Sequence, residues 1–189
     1  MGRQKMDERK RMTMVVTGIV TLINAHIWEP TVINEHSPLY TATLIIPKSE
    51  RKTIDGIKLA INNALQVGSF LHRGGYKDKA VNNIPLIDGD SEGMPQLFKN
   101  CYIINAASST PPQIYDYKVF PITDPNSVSS GSKVRVSLVM YSYHKNSIAG
   151  VGCCLKNIQL AGSERNKIKY PDTYFDAFIK DFVRIFDAD

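Results

Sequence analysis

The stretch KVRVSLVMYSYHKN, residues 133–146, alternates with period two along most of its length. Val134, Val136, Leu138 and Met140 fall on one side, and Lys133, Arg135, Ser137, Val139, Tyr141 and Tyr143 on the other. This alternation predicts a strand half buried on a core, because successive side chains leave a strand toward opposite faces. The first side is core. The second carries two basic groups and two tyrosines, and a charge in mid-strand needs a partner or open water. That face is therefore expected to be solvated or built to meet something anionic.

Strand signals also lie before this stretch. MTMVVTGIVTLINAHIWEP, residues 12–30, is rich in β-branched residues and reads as one long strand bent at Gly18 and ending near Trp28. PLYTATLIIPK, residues 38–48, sets Tyr40, Ala42, Leu44 and Ile46 on one face and Thr41, Thr43 and Ile45 on the other, until Pro47 stops it. Ser49 then caps a helix in which Ile54, Ile57, Ile61, Ala64, Leu65 and Gly68 recur at spacings of three and four, with Gly68 as its stop. Residues 69–99 are polar and broken and read as one long loop, functional or disordered, holding Arg73, Lys77, Lys79 and Lys99 with Tyr76 and Phe98.

Strand patterns return in NCYIINAASS, QIYDYKVFPI, the opening stretch and GVGCCLKNIQLA, separated by Pro, Gly and Ser clusters. The end of the chain places Phe175, Phe178, Ile179, Phe182, Val183 and Phe186 on one helical stripe. About six strands, one helix inserted after the second and one terminal helix predict a mainly β fold. The architecture expected is a small, partly open, OB-like barrel rather than an alternating α/β sheet.

A chain of 189 residues fits one domain with appendages. The expected layout is a flexible basic arm (1–12), an OB-fold domain (13–162), and a linker with an amphipathic C-terminal helix (163–189). No apolar run reaches membrane-helix length, and MGRQKMDERKRM lacks the apolar core of a signal peptide, so a cytoplasmic location is expected. The net charge is +5. Residues 1–12 carry five bases and two acids and residues 172–189 two bases and five acids, which leaves a basic body. A basic body favours a polyanionic partner. Cys101, Cys153 and Cys154 have no metal-ligand spacing and read as free thiols, and His26, His36, His72 and His144 form no ligand pattern.

The strongest pattern for catalysis is LIDGD, where Asp88 and Asp90, with Glu92, resemble a carboxylate metal cluster of a nuclease; a tight turn explains the same residues. No phosphate-binding glycine loop or nucleophile elbow is present. A binding protein is the stronger class, because a single strand needs cations along its phosphates and flat side chains under its bases, and both types occur on shared strand faces here. The candidate contacts are Trp28, Tyr40, Lys48, Arg73, Lys77, Tyr115, Lys118, Lys133, Arg135, Tyr141, Tyr143 and Lys145. For each aromatic taken alone, ordinary packing explains it equally well.

TGIVTLINAHIWEP, YTATLIIPKSERKTIDGIKLAINNAL, PLIDGD, YIINAASSTPPQIYD and GSKVRVSLVMYSYHKNSIAGVGCCLKNIQL, in this order, resemble the phage-encoded single-stranded DNA-binding protein family, which is similar in fold to the replication proteins of podophages. The resemblance implies an OB fold, sequence-tolerant binding of single-stranded DNA, no enzymatic activity and no cofactor. It implies a role in phage DNA replication, recombination or repair in the host cytoplasm, and makes DGD a structural loop. The implied partners are single-stranded DNA and phage replication or recombination proteins, with no membrane, and the aromatic C-terminal helix is a candidate surface for a homodimer. The readings that compete are a carboxylate-metal nuclease and a virion structural or assembly protein.

Overall fold

The computed structural model describes residues 12–32, 37–71, 81–145 and 148–162. Along the chain run β1 (Met14–Val16), β2 (Val20–Thr31), β3 (Leu39–Pro47), α1 (Arg51–Leu71), β4 (Val81–Asn83), β5 (Leu86–Asp88), β6 (Cys101–Ser108), β7 (Gln113–Tyr115), β8 (Lys133–Lys145) and β9 (Ile148–Leu160). One 3-10 turn covers Gln96–Phe98. The fold is mainly β with a single helix among the described residues.

The sheet runs β1-β8-β2-β3-β6-β9-β4, and β8 also pairs with β9. β2, β3, β6, β9 and β8 therefore form a ring. The β8–β9 and β3–β6 ladders are long, but β2 meets β8 only at Val20 and Thr21, and β6 meets β9 only at Ala107 opposite Cys154. These narrow seams make it a partly open OB-like barrel.

Alternation explains what fills it. Val134, Val136, Leu138 and Met140 are all at most 1% exposed, as their spacing predicts. They join Val20, Leu22, Leu44, Ile46, Ile104, Cys153 and Leu155 in the main core. Ile54, Ile57, Ala60, Ile61 and Ala64 bring one face of α1 into the same cluster, where the helix packs on β8, β1 and β9.

Several expectations change. The long first strand breaks in two at Gly18. There α1 comes so close that a Cβ would run into the Glu50 carboxylate, and the Gly18 N–H donates to Thr53 Oγ1 at 2.7 Å. α1 does not stop at Gly68 but continues to Leu71. Gly68 is buried, so packing outweighs a helix-interior cost of about 1 kcal/mol. The stretch 69–99 is not one loop, because β4, β5 and the 3-10 turn lie within it. Phe98 is 1% exposed and forms a second small core with Ile23, Ile45 and Ile103 on the outer side of β2, β3 and β6. The strand read over residues 113–122 holds only as β7, and a tight turn follows it. Short strands such as β4 and β5 escape a pattern that needs several alternations to be visible. The basic arm up to residue 11, Arg73, Lys77, and the linker and helix expected over 163–189 lie outside the described residues.

No described helix is long and apolar enough to cross a membrane.

Candidate nucleic-acid interface

The outer face of β8 is continued sideways by its neighbours, because cross-strand partners share a face. Arg135 stands opposite Gln159 on β9, and Gln159 opposite Tyr115 on β7. The next row joins Val16, Ser137, Asn157 and Gln113 across four strands. The third joins Met14, Val139 and Cys154. The second core covers the outer side of β2, β3 and β6, whereas Arg135, Asn157, Lys156, Val16 and Met14 are exposed.

Tyr141 and Tyr143 end this face. They stand opposite Gly152 and Gly150, and a Cβ on either glycine would run into the facing ring. Each ring thus leans over its glycine, half buried, and makes a flat apolar floor on the sheet. Burial pushes the Tyr141 phenol well above its ordinary value, with Cys153, Cys154 and Tyr143 adding to the shift, so it stays neutral. Cys153 behaves alike: burial raises its thiol and keeps it from acting as a thiolate.

Cations stand at the opposite end of β8. Lys133 is exposed and its Nζ donates to Thr21 Oγ1 at 2.6 Å. Among the described residues the ion pairs run from Lys48 to Asp88 and Asp90. No described carboxylate therefore pairs with Lys133, Arg135 or Lys156.

Sequence-predicted residues divide accordingly. Lys133, Arg135, Tyr115, Tyr141 and Tyr143 come together on one face. Tyr115 is half buried and its hydroxyl donates to Gln113 Oε1 at 2.7 Å. Lys118 lies just beyond β7, its Nζ 5.5 Å from the Tyr117 ring centre. Lys145 ends β8, and its side chain is not among those described. Trp28 is elsewhere: it packs on the main core and its indole Nε1–H donates to the Val128 carbonyl at 2.9 Å. Tyr40 is half buried at the start of β3, opposite Ser108 and on the side that Ala42 and Leu44 turn to the core.

Lys48 is held by the DGD turn. Its Nζ sits 2.6 Å from both Asp88 Oδ1 and Asp90 Oδ2. Asp90 Oδ1 also accepts the Asn100 N–H, and Asp88 Oδ1 the Asp90 N–H, both at 2.9 Å. Between the acids Gly89 is pressed so close to the Phe98 and Cys101 carbonyls that no side chain fits. The turn thus ties the end of β3 to the start of β6. Among the described residues no group of three His, Cys, Asp or Glu could hold a metal ion.

This lock has a pH signature. Hydrogen bonding from Lys48 leads the causes that lower both carboxyls below their ordinary 3.8, and it raises Lys48 above 10.5. A lowered acid contributes stability above its unfolded value and loses it as pH falls through the folded one; a raised lysine contributes fully below its unfolded value. Lys48→Met is therefore expected to lower Tm by a constant amount from about pH 5 to 9, and the gap should close below about pH 4. A gap that stays constant into acid would show that the ion pairs contribute nothing. All three groups are solvent-accessible, so the gap should be small and shrink with salt.

Lys156, Asn157, Gln159 and Gln113 belong to the face but are not among the sequence-predicted contacts. The signal for the first two is the consecutive polar pair in CCLKNIQL, which breaks the alternation where the β8–β9 register slips between Ser137 and Leu138.

Comparison with known proteins places the chain in a family. The sequence profile of the family described as the ssDNA-binding protein of Enterobacter phage Enc34 matches residues 13–163. The chain belongs to this family. The solved single-stranded DNA-binding protein of bacteriophage Enc34 is 18% identical, with 88% of this chain and 90% of that one covered and a TM-score of 0.67. Its structure in complex with ssDNA also gives 0.67 at 18% identity, over 85% of this chain and 89% of that one. The single-stranded DNA-binding protein gp2.5 of bacteriophage T7 is 14% identical over 84% of this chain and 98% of that one, with a TM-score of 0.59. Among curated protein sequences there is no significant match. At these identities the solved relatives share the fold.

Proposed function

We propose that this protein binds single-stranded DNA with little regard to base sequence, along the outer face of β7, β9 and β8. The observation that carries the reading is the continuous face from Tyr115 through Gln159 and Arg135 to the tyrosine floor, with exposed cations on it. Membership of a single-stranded DNA-binding family supports it. Lys133, Arg135 and Lys156 follow the phosphates, while Tyr115, Tyr141 and Tyr143 lie under unpaired bases. Stacking on ring faces suits a ligand that varies in sequence, because every base offers the same kind of ring face.

The protein acts by coating and presenting strands rather than by catalysis, and it needs no cofactor. Its place is phage DNA replication, recombination or repair in the host cytoplasm, alongside proteins of those processes. In this reading residues 13–162 are the binding domain, and the terminal segments modulate it or mediate self-association.

Fluorescence titration with oligo-dT and with a matching duplex tests the class. The expected result is tighter binding to the single strand, weakening steeply as salt is added. Equal affinity for both, or no binding at low salt, would overturn it.

A further inference from the structure

Beyond β7 the chain makes a turn whose chemistry the face described above does not use. Within residues 117–120, Tyr117 is 49% exposed, Val119 63% and Phe120 65%, with exposed Lys118 among them. Large apolar side chains in such a row at a loop tip serve no core, and an exposed apolar cluster of this kind marks a contact surface.

The turn is also rigid. Asp116 Oδ1 accepts the N–H groups of both Lys118 (2.8 Å) and Phe120 (2.9 Å), and the Asp116 N–H donates to the Phe120 carbonyl at 2.9 Å. Tyr115 bridges to Pro121 and the Ile122 N–H donates to the Ile114 carbonyl, so the base of the turn is closed. Val119 holds a φ of 69°, a left-handed conformation that is costly for a β-branched residue. Glycine would adopt it freely, and the exposed valine side chain gains little packing in return. The bend at Val119 brings Phe120 back to Asp116 and fixes the tip with its apolar groups in water. A contact already rigid when free loses little entropy on binding.

Its position names the occupant. The turn springs from Tyr115, which shares a row with Gln159 and Arg135, and the Gln159 side-chain amide reaches the Tyr117 carbonyl at 3.5 Å. Lys118 carries a positive charge beside the Tyr117 ring. Two rings and a cation, contiguous with a cationic face, suit an unpaired nucleotide segment better than an apolar protein surface.

We propose that residues 117–120 form a rigid second stacking site for single-stranded DNA, in which Tyr117 and Phe120 take bases that have passed the Arg135 row and Lys118 meets their phosphate. This rests on the single-strand reading above and extends the strand's path past β7.

In the full-length protein, Tyr117→Ala and Phe120→Ala are each expected to weaken oligo-dT binding about tenfold with Tm unchanged, since neither ring is buried. Tyr117→Phe and Phe120→Trp should keep wild-type affinity. Oligonucleotides carrying 5-bromodeoxyuridine should cross-link on irradiation to a peptide containing residues 117–120. Wild-type affinity in both alanine variants, or cross-links confined to the β8 and β9 peptides, would overturn the proposal while leaving the wider reading intact. Failure of the wild-type protein to bind oligo-dT would overturn both.

Discussion

Arg135→Ala combined with Lys156→Ala is expected to weaken oligo-dT binding about 60-fold at about 50 mM salt and about tenfold at about 200 mM, with Tm unchanged. Each cation at a phosphate releases counterions from the strand, so log K falls with log salt with a slope of about −0.7 per contact on single strands. Loss of two contacts should therefore flatten the measured slope by about 1.4. Arg135 and Lys156 are exposed and no described carboxylate pairs with them, so their removal takes nothing from the fold. A salt series for wild type and variant checks both numbers. An unchanged slope would place the DNA on another surface, and a large drop in Tm would mean that this face supports the barrel.

Trp28→Ala should show the opposite pattern. The indole packs on the main core, and its Nε1–H satisfies the Val128 carbonyl from a segment a hundred residues further along. Truncation removes that packing, leaves a cavity and takes the donor from a carbonyl whose own residue is fully buried. The expected cost is about 3 kcal/mol, read as a fall in Tm of about 6–12 °C. Oligo-dT affinity well below Tm should not change. If Tm holds and affinity falls instead, Trp28 is a DNA contact as its place at a strand end in the sequence suggests. Trp28→Phe separates the two parts of the cost, since it keeps most of the packing and loses only the hydrogen bond.

The contrast shows how far the sequence could be read. Arg135 and Trp28 both stand in strands, and sequence puts both on the list of contacts. Arg135 is legible because its neighbours Val134 and Val136 are core residues, so period two alone sends it outward. Trp28 is ambiguous because a large amphipathic ring at a strand end fits either a binding rim or a core edge, and the deciding partner, Val128, is brought in by the fold. Lys48 is harder still. Nothing near it in sequence reveals that two carboxylates forty residues on will take its charge. The same DGD turn that suggests a metal cluster locally becomes a lysine clamp once β3 and β6 are side by side.

The tyrosine floor lies between these extremes. Alternation puts Tyr141 and Tyr143 on the outer face, as the sequence indicates. That each leans over a glycine depends on the β8–β9 register, including a bulge at Lys156 and Asn157 that shifts the pairing by one residue. A register is a property of two strands and cannot be read from either one.

By itself, then, the sequence determined the strands long enough to show several alternations, the buried face of α1, the basic balance of the body and the outward side of β8, because each is a local periodicity or a sum over residues. Tertiary structure alone decided which outward residues become neighbours. It closed the barrel through two narrow seams, joined Tyr115, Gln159 and Arg135 into one row, drew Lys48 into the DGD turn, and left residues 117–120 exposed on a locked bend. The physical reason is that these relations rest on strand register and on hydrogen bonds between distant segments, which exist only after the chain has folded.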